Sequence, residues 1–174
     1  ALMKAIRSLE IGAYGLSANG VSNLSDVQLE EKITRPNDER LFVIAEALRR
    51  GYMVEEIHAL SNIDRWFLNK IHALIAMETK LKIHHHEVAA LADTLDCDSS
   101  AAQLLRDAKK MGFTDRQIAD YTGLTERMIR DLRKAFGIVP TYKMVDTCAA
   151  EFEAATPYFY SCYDTEDEDI LAAV

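Results

Sequence analysis

Apolar positions recur along this chain at three- and four-residue spacing, the signature of helices with one buried face. Leu2, Ile6 and Leu9, with Ile11, share one side of a helix predicted over residues 1–11. A loop holding Gly12, Gly15 and Gly20 follows. Ser25, with Gln28 three residues on, makes a capping box for a short helix carrying Val27, Leu29 and Ile33. TRPND stops that helix, and Asn37 or Asp38 is expected to cap the next, ERLFVIAEALRR, which Gly51 closes. A short helix over about 54–60 precedes a long one from Asp64 to about Lys82, whose stripe is Phe67, Leu68, Ile71, Leu74, Ile75 and Leu81. Residues 83–96 read as helical, and a further helix over about 100–111 ends at Gly112. Thr114, boxed by Gln117, starts another, Gly123 makes a turn, and Thr125 caps a last helix running to about Phe136. Beyond Pro140 the pattern becomes β-like and irregular, through TYKMVDTCAAEF and TPYFYSCY, into the acidic run DTEDED.

The helical pattern repeats. Shifted by 61 positions, GYMVEEIHALSNIDRWFLNKI (51–71) lies on GFTDRQIADYTGLTERMIRDL (112–132) without a gap. Tyr52 meets Phe113, Ile57 meets Ile118, Phe67 meets Met128, Leu68 meets Ile129 and Ile71 meets Leu132, so the matched positions read as the buried face. Polar positions differ freely. Gly123 faces Asn62, the other residue that tolerates a left-handed turn. The pattern therefore predicts an all-α, multihelical fold with two helical sub-bundles, a loose internal repeat and an extended C-terminal segment. Four segments follow: an incoming helix and amphipathic stretch (1–35), a first sub-bundle (36–96), a second (97–140) and an extended outgoing segment with an acidic tail (141–174).

Composition agrees with helices: 49% of the 174 residues are hydrophobic, with only 7 Gly and 3 Pro. No run of 18 apolar residues exists, so no membrane span is expected. The start, ALMKAIRSLEIG, lacks an initiator Met and a secretory layout and reads as the edge of a fragment. The net charge of −8 is concentrated near the C-terminus: from Asp146 onward there are eight acidic residues and no Lys or Arg, which leaves the body neutral. Three cysteines without a CxxC fit reduced thiols in a cytoplasmic protein.

A helix, a turn and a second helix over 113–134 is the outline of a DNA reader, and Arg127, Arg130 and Arg133 sit on its second helix. A neutral body gives no electrostatic footprint for nucleic acid, and helix pairs of this outline also serve as packing units. His84, His85 and His86 are consecutive, so on a helix they fan out by about 100° each and do not converge on one metal. His58 and His72 read as ordinary helix-face residues. The chain has no phosphate-binding glycine spacing, no GxSxG and no EF-hand frame. No catalytic, cofactor or metal site is expected within this segment. Leu24, Val27, Leu29 and Ile33 form an amphipathic stretch outside the repeat, which either packs on its own domain or joins a subunit or domain contact. Trp66, at the start of a long helix, reads as a core or interface anchor.

YKMVDTCAAEFEAATPYFYSCY (142–163) resembles the large subunit of carbamoyl phosphate synthetase, and LMKAIRSLEIG, NDERLFVIAEALRRG, SNIDRWFLNKI and GFTDRQIA agree in order. The resemblance covers roughly residues 1–163 and corresponds to the helical connector, or oligomerisation domain. It implies a whole enzyme that makes carbamoyl phosphate from bicarbonate, glutamine-derived ammonia and two ATP, for arginine and pyrimidine synthesis. Two ATP-grasp halves would flank this segment, one forming carboxyphosphate and the other phosphorylating carbamate. ATP, with magnesium or manganese and potassium ions, would bind those halves and not this segment. A glutaminase small subunit and self-association are the further implied partners, with no nucleic acid and no membrane. The segment itself would be non-catalytic, and helix-turn-helix DNA binding is the alternative reading.

Overall fold

The computed structural model describes residues 1–149, 151–152 and 158–165. The chain begins with α1 (Leu2–Ser8), a glycine-containing loop and a single 3-10 turn (Val21–Asn23). Next are α2 (Asp26–Thr34), α3 (Arg40–Arg49), α4 (Val54–Ser61) and α5 (Arg65–Ile83). Then come α6 (His85–Thr94), α7 (Ser100–Lys110), α8 (Asp115–Thr122) and α9 (Glu126–Ala135). A two-stranded antiparallel ribbon, β1 (Thr141–Met144) and β2 (Phe159–Cys162), closes the described chain, with Thr141 opposite Cys162. The predicted all-α, multihelical architecture is what the described residues adopt, and the described part of the extended C-terminal segment carries this ribbon. The acidic run from residue 166 onward lies outside the described residues.

Helix ends follow local chemistry, with some departures from the pattern. Ser25 and Thr114 cap α2 and α8 through complete capping boxes, as their spacing predicts. Neither Asn37 nor Asp38 caps α3: its N-cap is Glu39 in helical backbone geometry, which leaves no side chain placed to accept from the first turn. α1 stops at Ser8 and not near residue 11, because Glu10 and Gly12 take positive φ (54° and 76°), so Leu9 and Ile11 point to solvent. Gly15 is required by proximity: a Cβ there would lie 2.1 Å from Nε2 of Gln117. Gln117 cannot swing aside freely, since its Oε1 accepts from the Thr114 amide as part of the capping box.

The repeat holds in the backbone and is longer than the sequence indicates. Shifted by 61 positions, the bounds of α4 and α8 coincide, and Asn62 (φ 56°) falls on Gly123 (φ 74°). Gly51 and Gly112 share the same φ of 93°. Upstream, α3 falls on α7, and the Tyr52 and Phe113 amides donate to Ala47 and Ala108 at the same 3.1 Å. Ile44 and Ala47 are buried in one copy where Leu105 and Ala108 are buried in the other. Each copy is thus three helices: α3–α4–α5 and α7–α8–α9. Helix α5, 19 residues and about 28 Å long at 1.5 Å per residue, runs on past its own copy and packs its second half on α8. The buried residues of both copies belong to one continuous hydrophobic core.

One pair of equivalent positions uses opposite chemistry. Copy one places Leu48 and Val54 against the core; copy two has Lys109 and Asp115 there, both buried. Lys109 Nζ donates to Asp115 Oδ1 at 2.6 Å and to the Phe113 carbonyl at 2.9 Å, and Arg133 Nε donates to Asp115 Oδ2 at 2.8 Å. Burial pulls the Lys109 amine below its ordinary value, against the pull of Asp115. Burial pushes the Asp115 carboxyl up, but hydrogen bonds from Lys109 and Arg133 outweigh it and hold the group below the usual carboxylate range. Removing one partner of a buried pair leaves the other charge stranded, whereas exchanging the whole set for apolar residues is commonly neutral. Asp115→Val alone is therefore expected to cost about 3–5 kcal/mol in urea unfolding. The copy-one set, Lys109→Leu with Asp115→Val and Arg133→His, should cost less than that single change although it alters three residues.

Candidate functional site

Two features distinguish this helical body: a buried charge cluster where the two copies meet, and an apolar groove bordered by α1, α5 and the end of α7. Glu78 lies on the inward face of α5, four residues beyond Leu74 and three beyond Ile75. Its carboxylate is buried, with a side-chain exposure of 7%. Arg49, at the end of α3, grips it with both arms: Nε to Oε1 at 3.1 Å and Nη2 to Oε2 at 2.9 Å. Lys82, one turn on along α5, donates to Oε1. Its ammonium also stands 5.0 Å from the ring centre of Tyr121, which α8 contributes from the other copy. Burial pushes the Glu78 carboxyl up, but the hydrogen bonds from Arg49 and Lys82 outweigh it and hold the group ionised below its ordinary range. Burial first, and the Glu78 charge second, push the Tyr121 hydroxyl well above the usual phenol value, so it remains a neutral donor.

The cluster also fixes the loop before α2. Arg49 Nη2 donates to the Leu16 carbonyl at 2.9 Å and to Ser17 Oγ at 3.1 Å. From copy two, the Arg116 guanidinium lies 4.1 Å over the Tyr14 ring. α1 is held in turn by Arg7, which donates to the Gly112 carbonyl at 3.1 Å, and by Lys4, which donates to the Ser161 carbonyl at 3.0 Å in β2. Tyr163, just past β2, packs on the core with its ring 5.0 Å from Lys109 Nζ. The first and the last elements of the described chain are thus fastened to one body.

The groove, about 850 Å³, is lined by α1, by α5 from Trp66 to Leu74, by Leu41 of α3 and by Lys110 and Met111 at the end of α7. The Asp64 carboxylate accepts from the Trp66 amide at 2.7 Å and starts α5 so that Trp66 and Phe67 stand on the rim. Their rings meet edge to face, 4.9 Å apart at 86°. They stay 60% and 58% exposed. The sequence pattern places Phe67 on the buried stripe of α5, with Met128 as its repeat partner. Both lie on the surface instead: Phe67 shares the α5 face of the buried Ile71 and Leu74, about 40° and 20° away at 100° per residue, but in the first turn that face opens onto the groove and not onto packed core.

Of the positions expected at a subunit or domain contact, Leu29 and Ile33 are fully buried inside this chain and Leu24 packs partly against the same core. Val27, 77% exposed, and Trp66 stand on the surface. The three arginines expected on a DNA-reading face are occupied: Arg133 by Asp115, Arg130 by Glu126 at 3.6 Å and Arg127 by Asp131 at 3.8 Å. Acidic partners beside each cation oppose contact with phosphates. His58 Nδ1 is engaged by the Ile63 carbonyl at 2.7 Å, and His84 faces Glu87 at 3.4 Å. Among the described residues no three His, Cys, Asp or Glu side chains gather as a metal-binding group, and no helix is long and apolar enough to cross a membrane.

A family model for the oligomerisation domain of the carbamoyl-phosphate synthetase large chain matches residues 1–137, which ends one residue past the C-cap of α9. The chain belongs to that family. It is 46% identical over 164 residues to the carbamoyl phosphate synthase large chain, N-terminal section, of Aquifex aeolicus, covering 94% of this chain and 27% of that protein. It is 47% identical over 167 residues to the carbamoyl phosphate synthase large chain of Caldanaerobacter subterraneus, covering 96% of this chain and 14% of that protein. A Thermoanaerobacter large chain is 46% identical over the same length. The chain therefore spans about a quarter or less of the relatives it matches. It is an oligomerisation domain, and the DNA-binding alternative finds no support in these relatives or in the ion-paired arginines.

Helical period and capping chemistry do not reveal the charge cluster, although a signal exists: Glu78 and Lys109 are charged residues on otherwise apolar helix stripes. Glu78→Gln is expected to cost about 3 kcal/mol at neutral pH, because Arg49 is left buried against a neutral partner. A depressed carboxylate contributes stability that is complete above its unfolded value and is lost as pH falls through the lower folded value. Glu78 has an ordinary value of 4.5, so its contribution should persist at pH 5 and fade below pH 4.5. Chemical unfolding from pH 7 to pH 3 should show a smaller acid loss in Glu78→Gln than in the parent.

Proposed function

We propose that this oligomerisation domain is the stiff connector of a glutamine-dependent carbamoyl phosphate synthase, set between two ATP-grasp halves. One half would form carboxyphosphate and the other would phosphorylate carbamate, in a cytoplasmic enzyme serving arginine and pyrimidine synthesis. A glutaminase small subunit supplies ammonia, ATP with magnesium or manganese and potassium ions binds the flanking halves, and the large chain self-associates. Within this segment, residues 1–35 receive the chain, 36–96 and 97–140 form the body, and 141–174 pass it on.

The observation that carries this reading is the fastening of the first and last described elements, α1 and β2, to one body. α1 is tied to copy two by Arg7 and to β2 by Lys4, and the Glu78 cluster locks the two copies together. Carbamate is unstable in water and has to travel between separate active sites, so the distance and orientation between the halves must be held constant. A packed helical body meets that need; a flexible linker does not. No reacting group is required of the connector, and its role is positional.

The test uses the full-length large chain with its small subunit. Roughly ten Gly and Ser residues, enough for a random-coil linker, are inserted between Gly137 and Pro140, which loosens the outgoing segment. Each half is expected to keep turning over ATP while the ATP consumed per carbamoyl phosphate rises above two, because intermediates escape to water. An unchanged ratio would overturn the connector reading.

A further inference from the structure

The two copies of the repeat act as controls for each other. At the positions equivalent to Trp66, Phe67 and Lys70, copy two carries Arg127, Met128 and Asp131. There the surface is polar, with Arg127 and Asp131 forming an exposed ion pair. α5 and α9 begin at matching positions, so the fold does not need an aromatic pair on this face. The adjoining space differs as well: about 300 Å³ beside Met128, lined by Leu95, against about 850 Å³ beside Phe67. An exposed Trp–Phe pair over an open apolar groove marks a contact surface.

Two observations identify the occupant. Ala1 itself lines the groove, so polypeptide joined to it in a longer chain starts at the groove's rim. The large chains that this domain resembles extend far beyond it, since it covers only 14% of two of them. Lys70 and Lys110, flanking the groove, call for carboxylates on whatever seats there. A tethered partner is present at an effective concentration in the millimolar range, well above that of a second copy. We propose that the Trp66–Phe67 groove is the seat for the domain covalently joined to Ala1, which lays an apolar ridge flanked by acidic side chains between Lys70 and Lys110. This rests on the connector reading above. It adds which surface sets the angle between connector and incoming half: the groove clamps that half directly onto α5, the helix that also carries Glu78.

The full-length large chain is examined by hydroxyl-radical footprinting of Trp66 and Phe67 over a dilution series, with sedimentation velocity on the same samples. Both residues are expected to be protected at every concentration, including those at which the protein no longer self-associates. Protection that appears only in the associated samples would make a second copy the occupant and overturn the proposal. Rapid oxidation at all concentrations would leave the groove empty and overturn it too. A second measurement uses the copy-two residues, Trp66→Arg with Phe67→Met and Lys70→Asp, which the fold already accepts at 127, 128 and 131. Amide exchange in residues 2–8 and 65–74 of the full-length variant should quicken roughly tenfold, the factor that 1.4 kcal/mol of lost contact gives. Exchange unchanged from the parent would count against the seat. If the groove proves open while the Gly and Ser insertion still raises ATP use per product, only this assignment fails and the connector reading stands.

Discussion

A single buried carboxylate, Glu78, organises this molecule. Taking an ion out of water costs several kcal/mol unless partners replace its hydration. Here they come from three directions: both arms of Arg49, the ammonium of Lys82 and, across the boundary between the copies, the environment of Tyr121. Apolar packing alone is non-directional, and two oily faces can slide against each other at modest cost. A bidentate guanidinium–carboxylate pair has a fixed geometry. The Arg49–Glu78 pair therefore sets α3 against α5 in a defined register, Lys82 beside the Tyr121 ring carries the contact on to α8, and Arg49 extends it to the loop at Leu16 and Ser17.

The repeat shows how such specificity arises on a shared plan. Both copies use the same three helices, the same left-handed turns and matching buried aliphatic residues. Copy two has exchanged an apolar pair for Lys109 and Asp115, and with Arg133 and the nearby Tyr163 ring it gains a directional tie to the outgoing segment. Copy one keeps the apolar pair and has instead acquired aromatic side chains on its outer face. Copy two thereby holds the residue just past β2, and copy one presents an exposed aromatic pair.

Much of the helical plan was legible in the sequence, because period and capping chemistry are local. Ser25 with Gln28, Thr114 with Gln117, and the turns at Asn62 and Gly123 announce themselves within four residues. What escaped is non-local or subtle. α3 and α7 share few side chains beyond Ala47 with Ala108, so only backbone geometry reveals that they are equivalent. Phe67 does share the face of Ile71 and Leu74, yet in the first turn of α5 that face opens onto the groove. Glu78 was visible as a charge on an apolar stripe, but Arg49 lies 29 residues away, and no local rule names such a partner. The pairing of β1 with β2 likewise depends on contacts 21 residues apart and not on strand propensity.

Under the proposed connector role, rigidity across the boundary between the copies is the property on which everything else depends. Native-state hydrogen exchange under increasing denaturant measures it directly. The slowest amides of copy one, around Ile44 and Leu68, and of copy two, around Ile118 and Ile129, should converge on one opening free energy with one denaturant dependence, as a single cooperative unit does. Two separate isotherms, with one copy opening while the other stays closed, would contradict the account.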